Sequence, residues 1–110
     1  MDLEIDTYAH GDWWVVSVRG EVDIATSPRL REIVIGLVSD GHAEIIVDLE
    51  GVDFLDSTGL GVLVGALKRV RTHGGELRLI CTVPRVLKVF EITGLDRVFV
   101  LADSLEAATG

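Results

Sequence analysis

Leu3-Glu4-Ile5-Asp6-Thr7, His10-Gly11-Asp12 and Trp14-Val15-Val16-Ser17-Val18-Arg19-Gly20-Glu21-Val22-Asp23 open the chain and separate one fold class from another. Leu3, Ile5 and Thr7 alternate with Asp2, Glu4 and Asp6, and Trp14, Val16, Val18 and Val22 alternate with Ser17, Arg19, Glu21 and Asp23. Period-two alternation marks strands with one buried face, and the His10-Gly11-Asp12 turn between two such runs predicts a hairpin. A phosphate-accepting receiver domain alternates strand and helix from its first strand, so an opening hairpin argues against that fold. Trp13 is expected on the sheet face opposite Trp14, as a single exposed apolar residue.

Farther along the chain the period lengthens to that of a helix at Leu30, Ile33, Val34, Leu37 and Val38, behind Thr26-Ser27-Pro28 read as a cap with an early proline. Gly41 is expected to stop this helix. Ala43–Leu49 reads as a short apolar strand and Gly51–Asp56 as a loop. Leu60, Leu63, Val64, Leu67 and Val70 then form the inward stripe of a helix over Ser57–His73, ended by Gly74-Gly75. Leu77–Ile80 predicts a strand, and Pro84 with Val83, Val86, Leu87 and Phe90 a third helix closed by Gly94. Arg97–Leu101 predicts a last strand, and Asp103-x-x-Glu106 a capping box for a terminal helix. The resulting order is ββαβαβαβα, a single α/β domain over residues 1–110 with a mixed sheet of four or five strands and helices mainly on one face.

Composition narrows the function. Hydrophobic residues make up 48% of the 110 and charged residues 25%, enough apolar surface to fold as one domain. Ten Lys plus Arg against eighteen Asp plus Glu leave a net charge of −8, which repels phosphate backbones and anionic lipid, so neither nucleic acid nor membrane is an expected partner. The acidic, alternating N-terminus has none of the character of a signal peptide, and no apolar run approaches the ~20 residues of a membrane-spanning helix. Cys81 is the single cysteine, consistent with a reducing cytoplasm and unable to supply a cysteine zinc site.

The densest polar constellation is Asp53-Phe54-Leu55-Asp56-Ser57-Thr58-Gly59-Leu60-Gly61. It is not a serine-hydrolase elbow, because Leu55 stands where the first glycine of G-x-S-x-G belongs. Gly59, Gly61 and Gly65 miss the dinucleotide spacing, and Gly61 and Gly65 are read instead as allowing close helix packing. Asp48, Glu50, Asp53 and Asp56 match no dedicated metal loop, so no metal or cofactor is expected. The residues alone leave two readings of Ser57 open, a helix cap and a modifiable hydroxyl.

With these residues in place, the chain resembles the STAS-domain anti-anti-sigma factors, also called anti-sigma factor antagonists. Asp56-Ser57-Thr58-Gly59-Leu60-Gly61 after Val52-Asp53-Phe54-Leu55 is similar to the family's phosphorylation loop. Gly20-Glu21-Val22-Asp23 followed by Thr26 and Leu30 is a second match, and Thr93-Gly94-Leu95 a third. The resemblance implies a cytoplasmic switch that is not an enzyme, with Ser57 rather than Thr58 as phosphate acceptor. It implies a partner surface of Glu21, Asp23, Ile24, Thr26, Asp56, Ser57, Thr58 and Gly59. The implied partners are an anti-sigma factor with serine kinase activity, held only by the unmodified form, and a PP2C-type phosphatase. Other members are scaffolds in stress-signalling assemblies or accessory parts of transporters, and a free-standing chain with an intact Asp-Ser-Thr-Gly loop points to the switch instead.

Overall fold

A computed structural model describes residues 2–110; Met1, included in the expected domain span, lies outside the described residues. The chain runs β1 (Leu3–His10), β2 (Trp13–Val22), α1 (Ser27–Ser39), β3 (Glu44–Leu55), α2 (Ser57–Thr72), β4 (Glu76–Ile80), α3 (Pro84–Thr93), a 3-10 turn (Leu95–Arg97), β5 (Leu101–Ala102) and α4 (Leu105–Thr109). The five strands form one sheet in sequence order, with β1 antiparallel to β2 and every other pair parallel. This is the expected single α/β domain with the expected ββαβαβαβα order. Gly11, at φ 61°, makes the opening hairpin turn that an L side chain would strain.

One sheet face presents Val16, Val18, Ile45, Val47, Leu77 and Leu79 to the main core, where Leu30 and Val34 of α1, Leu63, Leu67 and Val70 of α2, and Val86 and Phe90 of α3 bury their stripes. The other face buries Val15, Ile46 and Ile80 beneath Ala108 of the short α4. Trp13 does point away from the main core, but it packs into this second cluster with the Arg78 guanidinium 4.8 Å from its ring centre. It is half-buried rather than exposed.

The largest departure concerns Gly51–Asp56. The segment up to Leu55 is strand, paired to the end of β2 through Arg19↔Gly51, Gly20↔Val52, Glu21↔Phe54 and Val22↔Leu55. Two register shifts each place an extra residue on β3, so its inward residues run Leu49, Val52, Leu55, three apart. That spacing has no period-two signature, which is why the segment reads as a loop. Gly51 lets the Arg19 side chain lie close there: a Cβ would meet the Arg19 Cγ at 2.6 Å and force that side chain aside.

Three smaller expectations are also corrected. The strand expected over Arg97–Leu101 is reduced to Leu101–Ala102, because the αL residue Gly94 starts a 3-10 turn whose bonds, Val98 N–H and Phe99 N–H to the Leu95 carbonyl, hold the backbone until Val100. The α4 cap is Ser104, whose hydroxyl accepts from Ala107 N–H at 3.1 Å, in place of Asp103. Gly61 and Gly65 do not mark a close packing: a Cβ on either would have no neighbour within 4 Å.

Candidate functional site

The polar constellation sits where the ends of β2 and β3 turn into α1 and α2. Asp56 N–H donates to the Val22 carbonyl at 3.2 Å, tying the two strand ends together. Asp56 is then the N-cap of α2, its Oδ1 accepting from Gly59 N–H at 3.0 Å. Gly59 presses against the same strand ends: a Cβ there would lie 2.5 Å from Leu55 Cδ1 and 2.8 Å from Val22 Cγ1. These contacts bring the Ser57 turn against the end of β2, from which the Asp23–Thr26 segment continues, a proximity that sequence spacing does not contain.

Capping duty thus falls on Asp56, and Ser57 is the first helical residue. Its side chain is exposed, and no hydrogen bond among the described residues uses its hydroxyl. Thr58 is half-buried and lines a trough between α1 and α2, so the structure gives the two hydroxyls different surroundings. The free N–H groups of the first turn of α2 and the positive end of its dipole stand beside Ser57, a setting that favours an anion.

The β2–α1 segment is built around Asp23. Its Oδ1 accepts from Ala25 N–H at 2.9 Å and Thr26 N–H at 3.0 Å, while Asp23 N–H donates to Thr26 Oγ1 at 2.9 Å. The Thr26 hydroxyl donates to the Glu21 carbonyl at 2.7 Å, and Ser27 N–H reaches the Asp23 carbonyl at 2.8 Å. Thr26 stands at the expected N-cap position of α1 with Pro28 in the first turn, but its side chain makes no capping bond; it closes a reciprocal Asp23–Thr26 box one turn earlier instead. The Thr26 backbone N–H is the main reason that the Asp23 carboxyl is held below the usual carboxylate range.

Of the eight residues assigned to a partner surface, Ser57 and Ile24 are exposed, the latter at 75%, and Glu21, Asp23, Asp56 and Thr58 are half-buried. Thr26 and Gly59 are buried, so they shape the surface from beneath. Features that the sequence reading passed over also meet here. Phe54 is 44% exposed, because the β3 bulges turn it away from the core, and Arg85 of α3 donates to the Asp53 carbonyl at 3.0 Å. No group of three His, Cys, Asp or Glu converges as metal ligands would among the described residues.

Five strands in this order, with α2 starting at an Asp-Ser-Thr-Gly turn beside the end of β2, make a small single-domain α/β module. The STAS domain family matches residues 4–108, and the chain belongs to that family. It is 41% identical over 95 residues, covering 86% of this chain and 88% of the relative, to an anti-sigma-B factor antagonist of Staphylococcus aureus (strain NCTC 8325 / PS 47). A Staphylococcus epidermidis protein of the same description is 38% identical over the same shares of each chain. The crystal structure of an anti-sigma factor antagonist from Mycobacterium paratuberculosis superposes with a TM-score of 0.90 at 30% identity, covering 98% of this chain and 92% of that one. No helix among the described residues is long and apolar enough to cross a membrane.

Proposed function

We propose that this chain is a cytoplasmic anti-sigma factor antagonist controlled at Ser57. The unmodified form binds an anti-sigma factor that is also a serine kinase and so frees the sigma factor. Phosphorylation of Ser57 ends that binding, and a PP2C-type phosphatase restores it. The chain is substrate and switch, with no catalysis of its own. The observation that carries the reading is an exposed Ser57 hydroxyl without structural duty at the first residue of α2, the capping bond being made by Asp56.

A phosphate at Ser57 adds about −1.5 to −2 charges. The helix N-terminus accommodates that charge locally, so the fold is kept. A partner surface shaped for a neutral hydroxyl then meets an anion added beside Asp53 and Asp56, and binding falls through repulsion and desolvation. Glu21, Asp23, Ile24, Asp56, Ser57 and Thr58 supply the contacts in this proposal, with Thr26 and Gly59 holding them in place.

Incubation with the anti-sigma kinase and ATP, followed by fragment mass spectrometry, is expected to find an acid-stable phosphoserine at Ser57. Isothermal titration is expected to show Ser57→Ala binding well and Ser57→Asp weakened at least about tenfold, ~1.4 kcal/mol. A hydroxylamine-labile phosphate on Asp53 or Asp56, or one confined to Thr58, would overturn the assignment. Equal binding by phosphoserine protein and wild type would leave a constitutive scaffold role as the better account.

A further inference from the structure

The trough between α1 and α2 has a volume of about 360 Å³ and starts at Thr58, next to Ser57. Ile35, Val62 and Ala66 give it apolar walls, Gly61 and Gly65 keep it deep, and Arg31 and Arg69 flank it. It continues past Gly65 into a shallower depression lined by Lys68, Thr72 and His73. Following α2 from Thr58 to Arg69 at 1.5 Å per residue, it extends for about three helical turns, ~16 Å.

Charge says what such a trough would receive. In a chain of net charge −8, the helices carry Arg29, Arg31, Lys68, Arg69 and Arg71, and Glu32 is the sole acid within Ser27–Ser39 and Ser57–Thr72. Arg69 and Arg71 suit the C-terminal end of the α2 dipole, whereas Arg31, beyond the first turn of α1, has no helix end to suit. Among the described residues neither Arg31 nor Arg69 forms a salt bridge. Gly61 and Gly65 lack a positive φ and lack a neighbour that would exclude a side chain, so neither backbone nor packing calls for glycine in mid-helix.

We infer that this trough docks an acidic amphipathic helix of the anti-sigma factor, alongside the surface that reads Ser57. The inference rests on the function proposed above. A helix fits because the trough follows α2 for about three turns and is open to solvent, whereas pockets for small molecules enclose most of their ligand. Apolar residues one turn apart would fill it, and flanking carboxylates would meet Arg31 and Arg69.

The test is isothermal titration of the purified anti-sigma factor against four forms of the full chain: wild type, Ser57→Asp, Gly65→Leu, and the double variant Arg31→Glu with Arg69→Glu. Gly65→Leu is expected to weaken binding at least tenfold while melting no lower than wild type, since leucine favours the helix, its Cβ meets no neighbour within 4 Å and the rest of its side chain enters the open trough. The double reversal is expected to weaken binding by at least as much and to flatten its salt dependence. A photo-crosslinker at Ile35 is expected to mark a partner helix bearing Asp or Glu. Wild-type affinity in both trough variants, with Ser57→Asp still weakened, overturns the docking site and leaves the function standing. Absence of binding by wild type overturns both. Sedimentation showing that the trough variants change self-association alone would assign the trough to a second copy and overturn the inference.

Discussion

Gly59 and Gly61 occupy the same helix two residues apart, yet alanine at the two positions should act with opposite sign. Alanine in place of a helical glycine gains about 0.5–1 kcal/mol from reduced backbone entropy. At Gly61 nothing lies within 4 Å of the added methyl, so the gain is expected whole. At Gly59 the methyl would sit 2.5 Å from Leu55 Cδ1, 2.8 Å from Val22 Cγ1 and 3.1 Å from the Val22 carbonyl oxygen. Leu55 has some freedom to rotate, but Val22 is β-branched, fully buried and fixed by its strand, so α2 itself must move. Overpacking of this kind costs about 1–3 kcal/mol, leaving a net loss of about 1–2 kcal/mol after the helix gain. For a domain of this size the two variants should therefore melt roughly 6–12 °C apart, on opposite sides of wild type. Thermal and urea unfolding followed by circular dichroism measure this directly. A Gly59→Ala protein as stable as wild type, or a Gly61→Ala protein less stable, would refute the packing argument and with it the account of how the Ser57 turn is placed against the end of β2.

Asp56→Ala should cost about 1 kcal/mol through loss of the α2 cap, whereas Asp56→Asn should retain most of it, both read from urea denaturation midpoints. Asp23→Ala, which a simple turn residue would tolerate, should lower the melting temperature because its carboxylate holds the box that starts α1. Since the Asp23 carboxyl is held below its ordinary value in the fold, its contribution is complete above the unfolded carboxylate range and is lost as pH falls through the folded value. Melting temperature should then fall more steeply in acid for wild type than for Asp23→Asn, and parallel curves would contradict this. Burial pushes the Cys81 thiol above its usual range, so alkylation near pH 8 should be slow in native protein and fast in urea.

Local pattern made the elements legible wherever one face of a strand or helix is buried at a constant period. The β1–β2 hairpin, the stripes of α1 and α2, and the Gly94 stop of α3 are of that kind, because the groups that determine each lie within a few residues of one another. The Asp56–Gly61 turn was legible as a motif for the same reason. The terminal half of β3 was not, because each bulge inserts a residue whose existence depends on pairing with β2, and the alternation that would announce a strand disappears.

The class of the fold, the order of its elements and the serine at the entrance to α2 all follow from local residue pattern. Three features come from packing: Asp56 rather than Ser57 caps the helix, Thr58 lines the α1–α2 trough while Ser57 faces solvent, and Gly59 rather than Gly61 is the tightly packed glycine. The physical reason is common to all three. Each depends on which atoms of a distant segment occupy the space around the residue, and Val22 reaches Asp56 and Gly59 only once the parallel β2–β3 pair has formed.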